Sequence, residues 1–229
     1  MQFNQDSREL SLKVVYYGPA LSGKTTNLMA LHARLNPDVR GRLLTVDTKS
    51  DRTLFFDLLP VFFETGSGLK VKIKLYTVPG QVMHSATRRI VLQGADAVAF
   101  IADSQLEQTH ANNEYWRNMQ DDLRLNGLTR EKLPTVIQFN KRDLPDVRSH
   151  EELEGIRRRG EEPVFLASAL RGEGVVETLH GLLVLTHQRL EERLKIETQW
   201  RLSRKEFLGR IFAGFDLSGT QLSGGVKVP

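Results

Sequence analysis

Apolar positions along the chain follow two rhythms that take turns. The stretch "LSLKVVYYG" is β-branched and aromatic and closes on glycine, and in the following "KTTNLMALHARL" Leu28, Leu31 and Leu35 recur at helical spacing. Together they read as strand, loop and helix. Downstream, "ADAVAFIADS", "LPTVIQFNKRD" and "EPVFLASA" are nearly continuous apolar runs, the pattern of parallel strands covered on both faces. Between them "EQTHANNEYWRNMQDDLRLNG" and "SHEELEGIRRRG" are polar helical stretches that end in glycine, as helix C-termini favour. This alternation predicts a three-layer α/β fold with right-handed crossovers. In "VFFETGSGLKVKIKLYTV", Lys70, Lys72 and Lys74 alternate with Val71, Ile73 and Leu75, and Gly66 and Gly68 mark a turn. A hairpin is expected there, with one antiparallel strand near an edge.

From Val175 a long helical pattern runs through "LHGLLVLTHQRLEERLKIETQW", further than packing on a sheet requires. Beyond it Leu202, Phe207, Leu208, Ile211, Phe212 and Phe215 can share one helical stripe, flanked by Arg201, Arg204, Lys205 and Arg210. The division expected is a domain over residues 1–198 and an amphipathic extension over 199–229, its glycine- and serine-rich end disordered when free. Such a stripe must be buried against the domain itself, a second copy, a partner protein or a membrane surface.

Composition narrows the classes. With 229 residues, 40% hydrophobic and 26% charged, the chain can bury one sizeable core, and without cysteine it has no disulfides, thiolate metal sites or cysteine nucleophile. The polar start "MQFNQDSREL" lacks an apolar signal region, and no run approaches the length of a membrane span, so a cytoplasmic protein is expected. A net charge of +4 from nearly balanced charges, with no aromatics interleaved in a basic patch, speaks against a nucleic-acid partner. The six histidines show no zinc-ligand spacing.

Candidate chemistry begins at "GPALSGKT", which fits Gly-x-x-x-x-Gly-Lys-[Ser/Thr] between a strand and a helix. In such a phosphate loop Gly18, Ala20, Leu21, Ser22, Gly23, Lys24, Thr25 and Thr26 surround the phosphates. Amides from Leu21 to Thr25 point at phosphate oxygens, Lys24 spans the outer two phosphates, and the Thr25 hydroxyl ligates magnesium. The second motif is "NKRD", directly after a buried strand and hence at its carboxyl end, where open α/β sheets bind ligands. Asp143 can accept from the two paired donors of guanine, which adenine lacks; Asn140 can serve the purine edge and the loop, and the stem of Lys141 can cover the ring. With Ser168 and Ala169 after the next strand, the combination points to guanine nucleotides.

These motifs, with "DRTLFFD", "LYTVPGQ" and "ADSQ", resemble the Ras-like small GTPases, and among them the bacterial MglA group of motility and cell-polarity switches, over roughly residues 7 to 195. The resemblance implies a phosphate-loop NTPase fold of the small-GTPase type: three layers, a mainly parallel sheet with one antiparallel edge hairpin, and here a C-terminal helical extension. It implies GTP and GDP as ligands with Mg2+, slow hydrolysis, and an activating homodimer of roadblock fold, the MglB type, with a cell pole as the place of action. Thr53 would close on magnesium and the outer phosphate, and Arg52 would act as an arginine finger; the alternative is that Arg52 pairs with Asp51 or Asp57. The Gly80 amide would donate to the outer phosphate and Gln81 would orient the attacking water. Thr77 stands where related switches carry a magnesium-facing aspartate, and this group shares that threonine; its hydroxyl would reach the ion through water.

One departure concerns hydrolysis. Ala20 occupies a loop position that is commonly glycine, and its methyl either shifts the loop or crowds Gln81 and Arg52. Two function classes therefore stand side by side: a slow GTPase switch, or a guanine-nucleotide-bound scaffold that has lost its chemistry.

Overall fold

The computed structural model describes residues 1–47, 55–80 and 85–217. Strands β1 (Gln2–Asn4) and β2 (Glu9–Tyr17) open the chain, and helix α1 (Lys24–Arg34) follows. Next come β3 (Leu44–Asp47), β4 (Phe55–Glu64), β5 (Lys70–Thr77) and α2 (Ser85–Leu92). Then β6 (Ala97–Asp103), α3 (Thr109–Leu125), β7 (Thr135–Asn140), α4 (His150–Arg159), β8 (Val164–Leu166) and α5 (Val175–Leu194) alternate as expected. The strands form an eight-stranded sheet in the order β3-β4-β5-β2-β6-β7-β8, with β1 paired to β2. From β5 through β8 neighbours run parallel, while β4 is antiparallel to both β5 and β3. The hairpin is thus where its alternation placed it, and β3 adds an outer strand too short to announce itself.

Side chains alternate across each strand, and this splits the core in two. Leu10, Leu12, Val14 and Tyr16 of β2 join α1 and α5 on one face, whereas Val15 and Tyr17 join α2, α3 and α4 on the other. In β6 the same division separates Ala97, Ala99 and Ile101 from Val98, Phe100 and Ala102. Covered on both faces, β6 and the second half of β2, Val14 to Tyr17, have no position for a solvated side chain, which is why they read as apolar.

The long C-terminal helix expected from the sequence is broken twice. Lys195, with φ 52°, ends α5; the short helix α6 (Ile196–Trp200) follows; and Arg201, with φ 57°, turns the chain again before α7 (Arg204–Ile211). A left-handed conformation costs an L-residue about 1–2 kcal/mol, so each reversal requires compensation. Burial provides it, because Leu202, Phe207, Ile211 and Phe212 enter the core shared by α1 and α5. Phe207 meets Phe63 of β4 edge-on with ring centres 6.1 Å apart, and Trp200 stacks on Phe3 at 4.5 Å. Glu206 accepts from the Gly66 N–H at 2.9 Å and the Ser67 hydroxyl donates to the Trp200 carbonyl at 3.2 Å, which ties the tail to the β4–β5 turn. The apolar stripe is covered by the domain itself. Among the described residues no helix is long and apolar enough to cross a membrane.

Candidate functional site

The phosphate loop, Thr77, Gly80, the Asn140–Asp143 turn and the Ser168–Ala169 turn gather at the carboxyl ends of β2, β5, β7 and β8. Arg52, Thr53 and Gln81 lie outside the described residues.

Between β2 and α1 the chain turns on two glycines that admit no side chain. A Cβ on Gly18 (φ 151°) would lie 2.2 Å from the Ile101 carbonyl oxygen, and one on Gly23 (φ 93°) 2.2 Å from Asn140 Nδ2. Helix α1 has neither a side-chain cap nor an acidic residue in its first turn, so its free amides and positive dipole end are left for an external anion. The buried Lys24 ammonium donates to the carbonyls of Gly18 at 2.9 Å and Pro19 at 2.6 Å, which aims it across the loop. Burial, and then the nearby Arg88 charge, pull its pKa down to about 7, with Asp57 opposing. A bound phosphate would restore the charge.

Beside the loop stands a carboxylate that the sequence offered only as an ion-pair partner for Arg52. Asp57 of β4 is 1% exposed and accepts three hydroxyl protons: from Thr25 at 2.6 Å and Thr77 at 3.0 Å on Oδ2, and from Thr45 at 2.9 Å on Oδ1. The Asp57 N–H also donates to the Thr77 hydroxyl at 2.8 Å. The Thr77 proton is thus directed at Asp57. A lone acidic residue in the otherwise apolar "FFDLLPVFF" was the available signal, since an interior carboxylate needs partners.

At the other end of the pocket, Asn140 joins two loops. Its Nδ2 donates to the Ser22 carbonyl at 2.8 Å and its Oδ1 accepts from the Ala169 N–H at 2.9 Å. Lys141, with φ 66°, is held by the buried Asp103 carboxylate at 2.6 Å, which fixes its stem. Asp143 accepts from the Ser168 hydroxyl; that bond, against the opposing effect of burial, holds its carboxyl below the usual carboxylate range. The result is an ionised acceptor at the rim, suited to a pair of N–H donors.

No protein-family model matches the chain. It is 44% identical over 185 residues to the mutual gliding-motility protein MglA of Myxococcus xanthus (strain DK1622), covering 80% of this chain and 95% of that one. The chain belongs to the MglA family of small GTPases. A guanine nucleotide is thus the ligand class that the loop and the rim carboxylate have to serve. Asp57 stands next to Thr77 on the neighbouring strand. Among the described residues no group of three or more His, Cys, Asp or Glu side chains could hold a metal ion. Magnesium beside a nucleotide needs no such group, because phosphate oxygens and water fill most of its octahedron. The Thr25 hydroxyl fits this role: its oxygen is free to ligate while its proton goes to Asp57, an arrangement that orients a ligand from outside.

Proposed function

We propose that this protein is a magnesium-dependent GTPase switch that binds GTP and GDP, hydrolyses GTP slowly, and selects partners by nucleotide state. The observation that carries the reading is Asp57 bonded to the Thr25 hydroxyl, since it returns the carboxylate that Thr77 lacks to the edge of the phosphate loop. Thr25 would hold the metal directly, with Asp57 behind it and Thr77 positioning Asp57; Thr53 would complete the set. Magnesium held there would supply charge neutralisation during transfer.

Lys24 would share the phosphate charge, while Gly18 and the amides of Ala20, Leu21, Ser22, Gly23, Thr25 and Thr26 shape the cradle. Gly80 would donate to the outer phosphate, Gln81 would orient water, and Arg52 would neutralise charge developing during transfer. Guanine would lie over the Lys141 stem with Asp143 on its paired donors, and Asn140, Ser168 and Ala169 would hold that loop in place. The relative's name supports a motility role, and the family resemblance supports an activating roadblock-fold homodimer and action at a cell pole.

Single-turnover hydrolysis of magnesium-GTP by the full-length protein tests the reading, with magnesium-ATP as control and Lys24→Ala as blank. Slow, Lys24-dependent phosphate release from GTP alone is expected. Tight GTP binding without release, even after a roadblock-fold activator is added, would instead make the protein a scaffold.

A further inference from the structure

Gly80 rests directly on the phosphate loop. A Cβ built on it would lie 2.4 Å from Ala20 Cα, 2.6 Å from Ala20 N and 2.8 Å from Lys24 Nζ. The Ala20 amide and the Lys24 ammonium are groups that an outer phosphate would approach. A phosphate oxygen needs about 2.7–2.9 Å from such a charged donor and brings the rest of a tetrahedral group with it. With Gly80 in this place, that volume is taken.

The bond that keeps Gly80 there comes from α3. The Tyr115 hydroxyl donates to the Gly80 carbonyl at 2.7 Å. Tyr115 is 4% exposed, and the Arg88 guanidinium of α2 lies over its ring at 5.3 Å. Arg88 Nε is 3.9 Å from Asp122 Oδ2, and that same oxygen accepts from the Tyr17 hydroxyl at 2.8 Å. Tyr17 is the last residue of β2, immediately before Gly18. Tyr115 is therefore the arm of a buried group that joins β2, α2 and α3, and through Gly80 its hydroxyl reaches the phosphate loop. The carbonyl it holds belongs to the planar peptide group leading to Gln81, so the bond fixes the direction in which the chain leaves Gly80.

We propose that Tyr115 is a positioning residue, a latch that holds Gly80 over the phosphate loop and thereby favours a nucleoside diphosphate over a triphosphate. This rests on the guanine-nucleotide reading above. A third phosphate enters only when Gly80 withdraws from Ala20 and Lys24, and that withdrawal breaks the Tyr115 bond. A diphosphate leaves the bond intact.

Tyr115→Phe removes the hydroxyl and keeps the ring beneath Arg88. Affinities of the wild type and the variant for labelled GDP and for a non-hydrolysable GTP analogue, both with magnesium, provide the test. GDP affinity should stay unchanged while the triphosphate-to-diphosphate affinity ratio rises about two- to tenfold, the scale of one neutral hydrogen bond. A merely structural role lowers both affinities together, and an unchanged or reduced ratio overturns the latch. A wild type that binds neither guanine nucleotide would remove the nucleotide reading itself, and the latch with it. Should the variant not fold, 3-fluorotyrosine placed at 115 of the otherwise native chain reports the same contact. Its fluorine resonance should differ between the GDP and triphosphate complexes, and identical resonances overturn the proposal.

Discussion

Asp57 and Thr77 face each other across neighbouring strands and exchange hydrogen bonds in both directions, backbone to hydroxyl at 2.8 Å and hydroxyl to carboxylate at 3.0 Å. The position that lacks the expected carboxylate and the residue that carries one are thus adjacent. Asp57→Ala should raise the magnesium concentration needed for slow nucleotide release about 10- to 100-fold, the usual effect of removing a group that orients a metal ligand. Titrating magnesium against the GDP release rate checks this. Thr77→Asp should not act as a repair, because it sets a second carboxylate against a buried one; a lowered melting temperature is expected.

Replacing Asp143 by Asn exchanges an acceptor-only carboxylate for an amide that also donates. Two charge-assisted hydrogen bonds to guanine, about 1.5–3 kcal/mol each, are then lost or mismatched. GTP binding should weaken by about 100-fold or more while xanthosine triphosphate binding improves. Competition between the two nucleotides reads the switch, and an undiminished preference for GTP would contradict the base assignment.

Phe207 is fully buried between His187 and Phe63. Phe207→Ala should cost about 3–5 kcal/mol of stability, the range for deleting a buried aromatic ring. Deleting everything after Gln199 should cost more, because it also removes Leu202, Ile211 and Phe212 from the core. Urea unfolding of the nucleotide-free protein measures both.

The same interface carries a pH dependence. His187 lies 3.1 Å from the Leu202 carbonyl and His180 meets the Phe212 ring edge-on, both on α5 beneath the tail. Burial is the main cause that holds both pKa values below their ordinary 6.5. The Leu202 carbonyl, Glu197 and Glu191 oppose that shift at His187 while Arg204 adds to it, and Glu177 opposes it at His180. Since the folded values are the lower ones, the unfolded chain takes up protons first as pH falls through 6.5. The contribution of this interface should be full above that pH and decline below it until the folded values are passed. Melting temperatures from pH 8 to 5 should show the decline, and His187→Gln should flatten it.

The fold was legible wherever one strand or helix carried its own period: the apolar runs of β6 and β7 and the lysine alternation of β5 need no tertiary information. The phosphate loop and "NKRD" were legible for a similar reason, since each is a contiguous stretch whose spacing encodes its geometry. Asp57 was not, because its role depends on the antiparallel register that sets Leu58 opposite Tyr76 and so brings the next pair, Asp57 and Thr77, together. Tyr115 sits in a helix that reads as polar, and its partner Gly80 lies 35 residues earlier. The breaks at Lys195 and Arg201 were hidden for a different reason. Neither residue favours a left-handed backbone, and the burial of aromatic side chains further along decides the matter.

Asn140 gives the pocket a temporal character. One side-chain amide fastens the phosphate loop to the Ser168–Ala169 turn, so in the proposed complex the loops at the two ends of the nucleotide would be coupled to each other. A nucleotide held in this way would have to leave both loops together, which would lengthen its residence time without any new contact to the ligand. In the proposed switch the interval spent in one state would then be set partly by a residue that need not touch the phosphates at all.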